Sequence, residues 1–212
     1  AKAASFLKLI PWIKMVGVTG SLAMKNTDKE DDIDFLIVST THRLWLTRFL
    51  ATLMMELLGK RRHPLDKENG DKICLNMYLD EAHLAVPKKE RDLFTAHEVV
   101  QVKLLWERGE IYNKFLTENL WVKKYLPNAV SFPRPLPFRL KASERGGLMK
   151  IVAESIFDFF ENLSKRLQLW YMQSRRTTEV ISDGVIRFHP QDARKWVLEK
   201  YNRELDRLDV VS

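Results

Sequence analysis

Cysteine is nearly missing from this chain: Cys74 stands alone, which excludes an internal disulfide framework and a multi-cysteine zinc site. Lying within the apolar run 73–79, it reads as a buried, inert thiol. No uninterrupted apolar stretch reaches membrane-spanning length and no secretory signal is visible, so no membrane role is expected and the cytoplasm is the default location. Internal repeats and low-complexity tracts are missing as well. The chain opens inside what reads as helix, which leaves a longer native N-terminus open. Acidic residues are the minority charge, 28 against 35 Lys and Arg, for a net charge of +7. That balance suits a polyanionic partner and suits plain solubility almost as well. What remains is ordinary globular material, 45% hydrophobic and 30% charged over 212 residues. The length holds one large domain, or a catalytic domain with a helical appendage.

The organising stretch is Val16-Gly17-Val18-Thr19-Gly20-Ser21, followed after ten residues by Asp32-Ile33-Asp34-Phe35-Leu36-Ile37-Val38. An apolar strand ends in a small Gly-Ser turn, and a second strand opens on two carboxylates. Residues two apart in a strand share a face, so Asp32 and Asp34 point one way while Ile33 and Phe35 point the other. Two carboxylates held side by side repel each other unless a cation lies between them, and hard divalent ions are bound in this way, together with substrate phosphates. Gly20 lets a backbone approach closely, and exposed N–H groups with the Ser21 hydroxyl suit phosphate oxygens. Metal and phosphate sites would then be neighbours.

Gly20-Ser21, ten residues, then Asp32-x-Asp34 resembles the signature of the DNA polymerase β-like nucleotidyltransferase superfamily, with the spacing of its minimal members, over residues 14 to about 80. The resemblance implies an α/β (α+β) fold with a small mixed sheet, two Mg²⁺ ions, and transfer of a nucleotidyl group from an NTP, ATP before others. Asp32 and Asp34 would be the catalytic metal ligands, and Gly20, Ser21, Lys25 and Asn76 would touch the nucleotide. Where the family places a third carboxylate, this chain has Asn76. An amide is a weaker metal ligand and cannot act as a general base. Three explanations stay open: Asp80 takes the role, Asn76 serves as a neutral ligand or holds substrate, or the site binds nucleotide without efficient turnover.

Along the chain, residues 1–128 read as the catalytic domain with a helical extension, 129–147 as a Pro-rich strap and 148–212 as a helical C-terminal part with a short hairpin. Residues 3–10 read as a short helix stopped before Pro11, and 14–18 as the first strand. Ser39-Thr40-Thr41 offers caps to a helix whose apolar residues run from Leu44 to Leu58. Residues 73–79 form a third strand, with Ile73, Leu75, Met77 and Leu79 on one face and Cys74, Asn76, Tyr78 and Asp80 on the other. One helix is expected over 88–108, carrying His97 as an ordinary hydrogen-bonded residue, and another over 110–125. Alternating prolines make 131–139 extended. A long amphipathic helix covers 148–173, a hairpin with an Asp-Gly turn 179–188, and a last helix begins near Pro190.

The acceptor is the open question. An RNA acceptor would need a basic track, for which Lys60, Arg61, Arg62, Arg134, Arg139, Arg175 and Arg176 are the candidates. The alternatives are an antitoxin-like or regulatory module that modifies or masks a partner protein, and a degenerate scaffold that binds nucleic acid without turnover. The apolar C-terminal helix leaves a homo-oligomer open.

Overall fold

The computed structural model describes residues 2–24, 32–63, 72–129, 148–173, 180–188 and 193–209. The elements in chain order are α1 (Lys2–Leu7), β1 (Ile13–Val18), α2 (Gly20–Ala23), β2 (Ile33–Ser39), α3 (Leu44–Leu57), β3 (Ile73–Asp80), α4 (Leu93–Gln101), β4 (Lys103–Glu107), α5 (Ile111–Glu118), α6 (Leu148–Met172), β5 (Val180–Ile181), β6 (Val185–Arg187) and α7 (Ala193–Asp209). Six strands form one mixed sheet in the order β4-β1-β2-β3-β6-β5. Among the described strands only β2 and β3 pair in parallel, and α3 makes the crossover that a parallel pair requires. The hairpin near residue 184 is therefore part of this sheet, with Tyr78 opposite Ile186. The architecture is the mixed α/β arrangement expected from the sequence.

Both faces of the sheet are covered, which is why β2 is a continuous apolar run after Asp34. Val16, Val18, Phe35, Ile37, Tyr78 and Ile186 pack with Leu7, Trp45, Met55 and Met172 from α1, α3 and α6. Met15, Leu36, Val38 and Leu79 pack on the other side with Val99, Phe115 and Leu116 from α4 and α5. Asp34 shares the face of Leu36 and Val38, so the carboxylates open on the α4 side.

In β3 the expected alternation fails. Asp34 is opposite Cys74, yet Leu36 is opposite Met77, so β3 carries one more residue than β2 across that interval. An extra residue reverses the side-chain alternation beyond it. Ile73 and Leu75 accordingly join Tyr78 on the α3 face, while Met77 and Leu79 join the α4 face. Asn76 sits inside the irregularity.

Two of the expected helices are shorter. The helix foreseen over 88–108 ends at Gln101, and residues 103–107 form edge strand β4, antiparallel to β1. Val102, itself β-branched, turns extended, with φ −55° and ψ 120°, and the leucines and tryptophan that follow suit a strand as well as a helix. The helix foreseen over 110–125 stops at Asn119, which is fully buried. Its amide donates to Leu84 O and Phe115 O, and its carbonyl accepts from Val86 N and Trp121 Nε1, which fixes the loop after β3. A short 3₁₀ turn takes over from Leu120 to Lys124. The expectations for the 131–139 strap and the Pro190 helix start lie outside the described residues.

The cap of α3 also differs from expectation. Ser39 ends β2 and Thr40 Oγ1 donates to Trp12 O, so neither caps the helix. Instead Glu161 of α6 accepts the N–H groups of Trp45 and Leu46, both at 2.8 Å. Arg43, 5% exposed, pairs with Asp158 at 2.5 Å and with Glu154, and Ser164 Oγ and Gln168 Nε2 donate to Trp45 O. Thus α6 is fastened to α3 by polar groups. Glu161→Ala is expected to lower unfolding stability by about 1–2 kcal/mol, the range for a lost helix cap, read as a lower urea midpoint. An unchanged midpoint would mean that the cap is not formed in solution.

Candidate functional site

The site begins with a backbone approach. Thr19 N–H donates to Asp34 O at 3.0 Å, which brings the end of β1 against the start of β2. The next residue, Gly20, adopts φ +67°, and a Cβ there would fall 2.3 Å from Asp34 Oδ2. Glycine is what lets the turn lie on the carboxylate. α2 is only four residues long, and Ser21 within it borders the same cleft.

Asp32 and Asp34 are half-buried, and their carboxylates lie with Cys74 Sγ within 4.8 Å of one another. Arg62 Nη1 donates to Asp32 Oδ2 at 2.5 Å and reaches Cys74 Sγ at 4.0 Å. It is held there because residues 60–62 run beside the start of β3, with Arg62 N bonded to Ile73 O and Ile73 N to Lys60 O. Burial is the largest single influence and works against the Arg62 charge, but the Asp32 carboxylate and the Cys74 sulfur together outweigh it and raise the guanidinium pKa. On the other side Asn76 Nδ2 donates to Asp34 Oδ1 at 2.6 Å, while Asn76 Oδ1 is buried without a hydrogen-bond partner.

Gly20, Ser21, Asp32, Asp34 and Asn76 are thus brought together in the wall of a cleft of about 1320 Å³. Phe94 of α4 and Trp196 and Tyr201 of α7 border the same cleft. Lys25 lies outside the described residues, as do Arg134, Arg139, Arg175 and Arg176. Asp80 is elsewhere: its Oδ1 accepts from Ala82 N and bonds the His83 ring at 2.7 Å, closing the turn after β3. Of the candidates for the third carboxylate position, Asn76 is the one against Asp34. His97 borders the cleft from α4 and pairs loosely with Gln101. Arg61 pairs with Glu56 at 3.1 Å.

Two members of the cluster escaped the sequence reading. Cys74, expected as a buried inert thiol, is half-buried and lies within 4.8 Å of both carboxylates, and Arg62, a candidate for a basic track to RNA, is paired with Asp32 instead. The signal for Cys74 was available, because it was assigned to the face of Asn76. That of Arg62 depends on a pairing across 30 residues.

The donor set fits one hard divalent cation: two carboxylates on one strand face, a neutral amide oxygen without a partner, and room for phosphate and water to complete the shell. The thiol is not a ligand for such an ion. Burial, then Asp34 and Asp32, push its pKa up to about 12, so it stays protonated. In the folded protein at pH 8, iodoacetamide is expected to alkylate Cys74 at least ~10²-fold more slowly than an unperturbed cysteine of pKa about 8.5. Asp34→Asn should accelerate the reaction, because one of the charges opposing the thiolate is gone. Alkylation at the ordinary rate would show that the carboxylates do not face the sulfur.

No protein-family model matches the chain, and no curated protein matches it in sequence. Among solved structures it is similar to a toxin–antitoxin with AMP-PNP, at 15% identity over 59% of this chain and 87% of that one, with a TM-score of 0.36. It is similar also to two mutants of the toxin–antitoxin MntA-HpeT. One matches at 14% identity over 58% of this chain and 88% of the other, with a TM-score of 0.34. The second matches at 16% identity over 59% and 86%, with a TM-score of 0.33. Likeness at this level bears on neither the activity nor the partners of this chain.

Proposed function

We propose that the chain is a Mg²⁺-dependent nucleotidyltransferase that moves an NMP from an NTP, ATP in the first instance, to an acceptor hydroxyl. The observation that carries this reading is the Gly20 turn lying on Asp34, with Asp32 on the same strand face. In the reaction the acceptor oxygen bonds to the α-phosphorus, the bond from that phosphorus to the bridging oxygen breaks, and pyrophosphate leaves while the hydroxyl proton passes to solvent. Asp32 and Asp34 would hold the ion, and Gly20 and Ser21 would place the phosphate oxygens. Bound Mg²⁺ supplies charge neutralisation of the triphosphate and acidification of the acceptor hydroxyl. Asn76 orients Asp34 through its amide N–H and, being neutral, takes no proton. Arg62 adds a cation at the cleft wall. The chain's contribution is placement and electrostatics, with no covalent intermediate.

A protein hydroxyl is a second reading of the acceptor. Among the described residues the two arginines that border the cleft are engaged with carboxylates, Arg62 with Asp32 and Arg187 with Glu90, and Lys89, Phe94 and Trp196 border it as well. A polyanion gains little from cations already paired. The test is ATP labelled at the α-phosphorus, incubated with Mg²⁺, total RNA and total protein. Label in RNA favours the first acceptor, and label in a protein band favours the antitoxin-like module. No labelled product, with no Mg²⁺-dependent ATP binding by calorimetry, would overturn the reading.

A further inference from the structure

Helix α6 carries more apolar surface than the described residues cover. Ala153, Ile156, Phe160, Leu163, Leu167 and Trp170 follow one another at alternating spacings of three and four, the pattern of a helix that packs on a helix. The side towards α3 is accounted for by Arg43 on Glu154 and Asp158, by Ser164 on Trp45, and by buried Met172. The stripe lies on the opposite side. Ile156 is 50% exposed, Phe159 64%, Leu167 55% and Trp170 74%. Arg166 is the charge that interrupts it.

We propose that this face is a homodimer interface, with α6 packed antiparallel on α6 of a second copy about a two-fold axis. Area is the first argument. With aromatic side chains of about 150–250 Å², the exposed part of this stripe together with flanking Phe159 comes to roughly 700 Å². A standard interface takes about 800 Å² from each partner, whereas the largest patch on a typical monomer is about 300–600 Å². Self-complementarity is the second. A two-fold contact needs a surface that fits itself. Centred between Phe160 and Leu163, the stripe sets Phe160 against Leu163, Ile156 against Leu167, and small Ala153 against large Trp170. Direction is the third. Antiparallel pairing sets the dipoles of the two α6 helices head to tail, the favourable arrangement. A helix lying on a lipid surface has Lys and Arg along its polar face, whereas Glu154 and Asp158 stand there.

Sedimentation velocity on the full chain tests the assembly. Twice the chain mass of 24.9 kDa is expected, falling to the monomer in Phe159→Glu/Leu167→Glu with an unchanged circular dichroism spectrum. A monomeric wild type, or a variant that folds and stays dimeric, would overturn the proposal. So would a monomer that cosediments with anionic liposomes. Direction is read from two single-cysteine chains in a Cys74→Ser background. Mixed and oxidised, Ile156→Cys and Leu167→Cys are expected to join to each other, and disulfides of each variant with itself alone would reject the antiparallel arrangement.

Discussion

Asp34→Asn is expected to reduce Mg²⁺-dependent nucleotidyl transfer by a factor on the order of 10² or more, as when a metal ligand loses its charge. The substitution keeps the side-chain volume and removes only the charge, so the fold should survive it. Asn76 still finds an oxygen at the position of Asp34 Oδ1, and β2 remains held on both sides by β1 and β3. A melting temperature close to that of the wild type, with Mg²⁺-dependent binding of a non-hydrolysable ATP analogue weakened in calorimetry, is the expected pattern. Asp32→Asn should behave differently in one respect. It leaves the Arg62 guanidinium without its carboxylate, so binding of the bare triphosphate is retained better than transfer. Transfer at near wild-type rates in both variants would remove the carboxylates from the reaction.

The carboxylate pair was legible because everything that places it is local. Alternation sets Asp32 and Asp34 on one face, and the apolar run after them marks a strand buried on both sides. The same local rule misplaced half of β3. It presumes an uninterrupted ladder, and the extra residue between Cys74 and Met77 leaves no mark in composition. Residues 102–107 failed for another reason. Val-Lys-Leu-Leu-Trp-Glu satisfies helical and strand spacing alike, and the vacant edge of β1 decides between them. Arg62 and Glu161 were illegible in principle. Each completes a feature whose other half lies far along the chain, the Asp32 carboxylate in one case and the first turn of α3 in the other. Single-sequence reading has no access to such pairings. The site was thus readable as far as one strand–turn–strand unit reaches, and its electrostatic balance was not.

Gly20→Ala separates backbone strain from collision and bears most directly on the turn. At φ +67° an alanine is strained by about 1 kcal/mol relative to glycine. That cost is shared by Gly59→Ala, since Gly59 has φ +61°. The two positions differ in their surroundings. A Cβ at Gly59 meets nothing within 4 Å, whereas one at Gly20 would lie 2.3 Å from Asp34 Oδ2 and 3.2 Å from its Cγ. Either the turn or the carboxylate must move, and Thr19 N–H, bonded to Asp34 O, ties the two together. Gly59→Ala is therefore expected to lose about 1 kcal/mol of stability and to keep its affinity for nucleotide. Gly20→Ala should lose more stability than that, bind the ATP analogue at least ~10-fold more weakly, and lose transfer on the order of 10²-fold, the cost of misplacing a reacting group by about an ångström. Urea titration, calorimetry and the labelled-ATP assay read the three quantities independently. If Gly20→Ala matched Gly59→Ala in all of them, the turn would be a plain connection between strands, and the phosphates would have to be held elsewhere in the cleft.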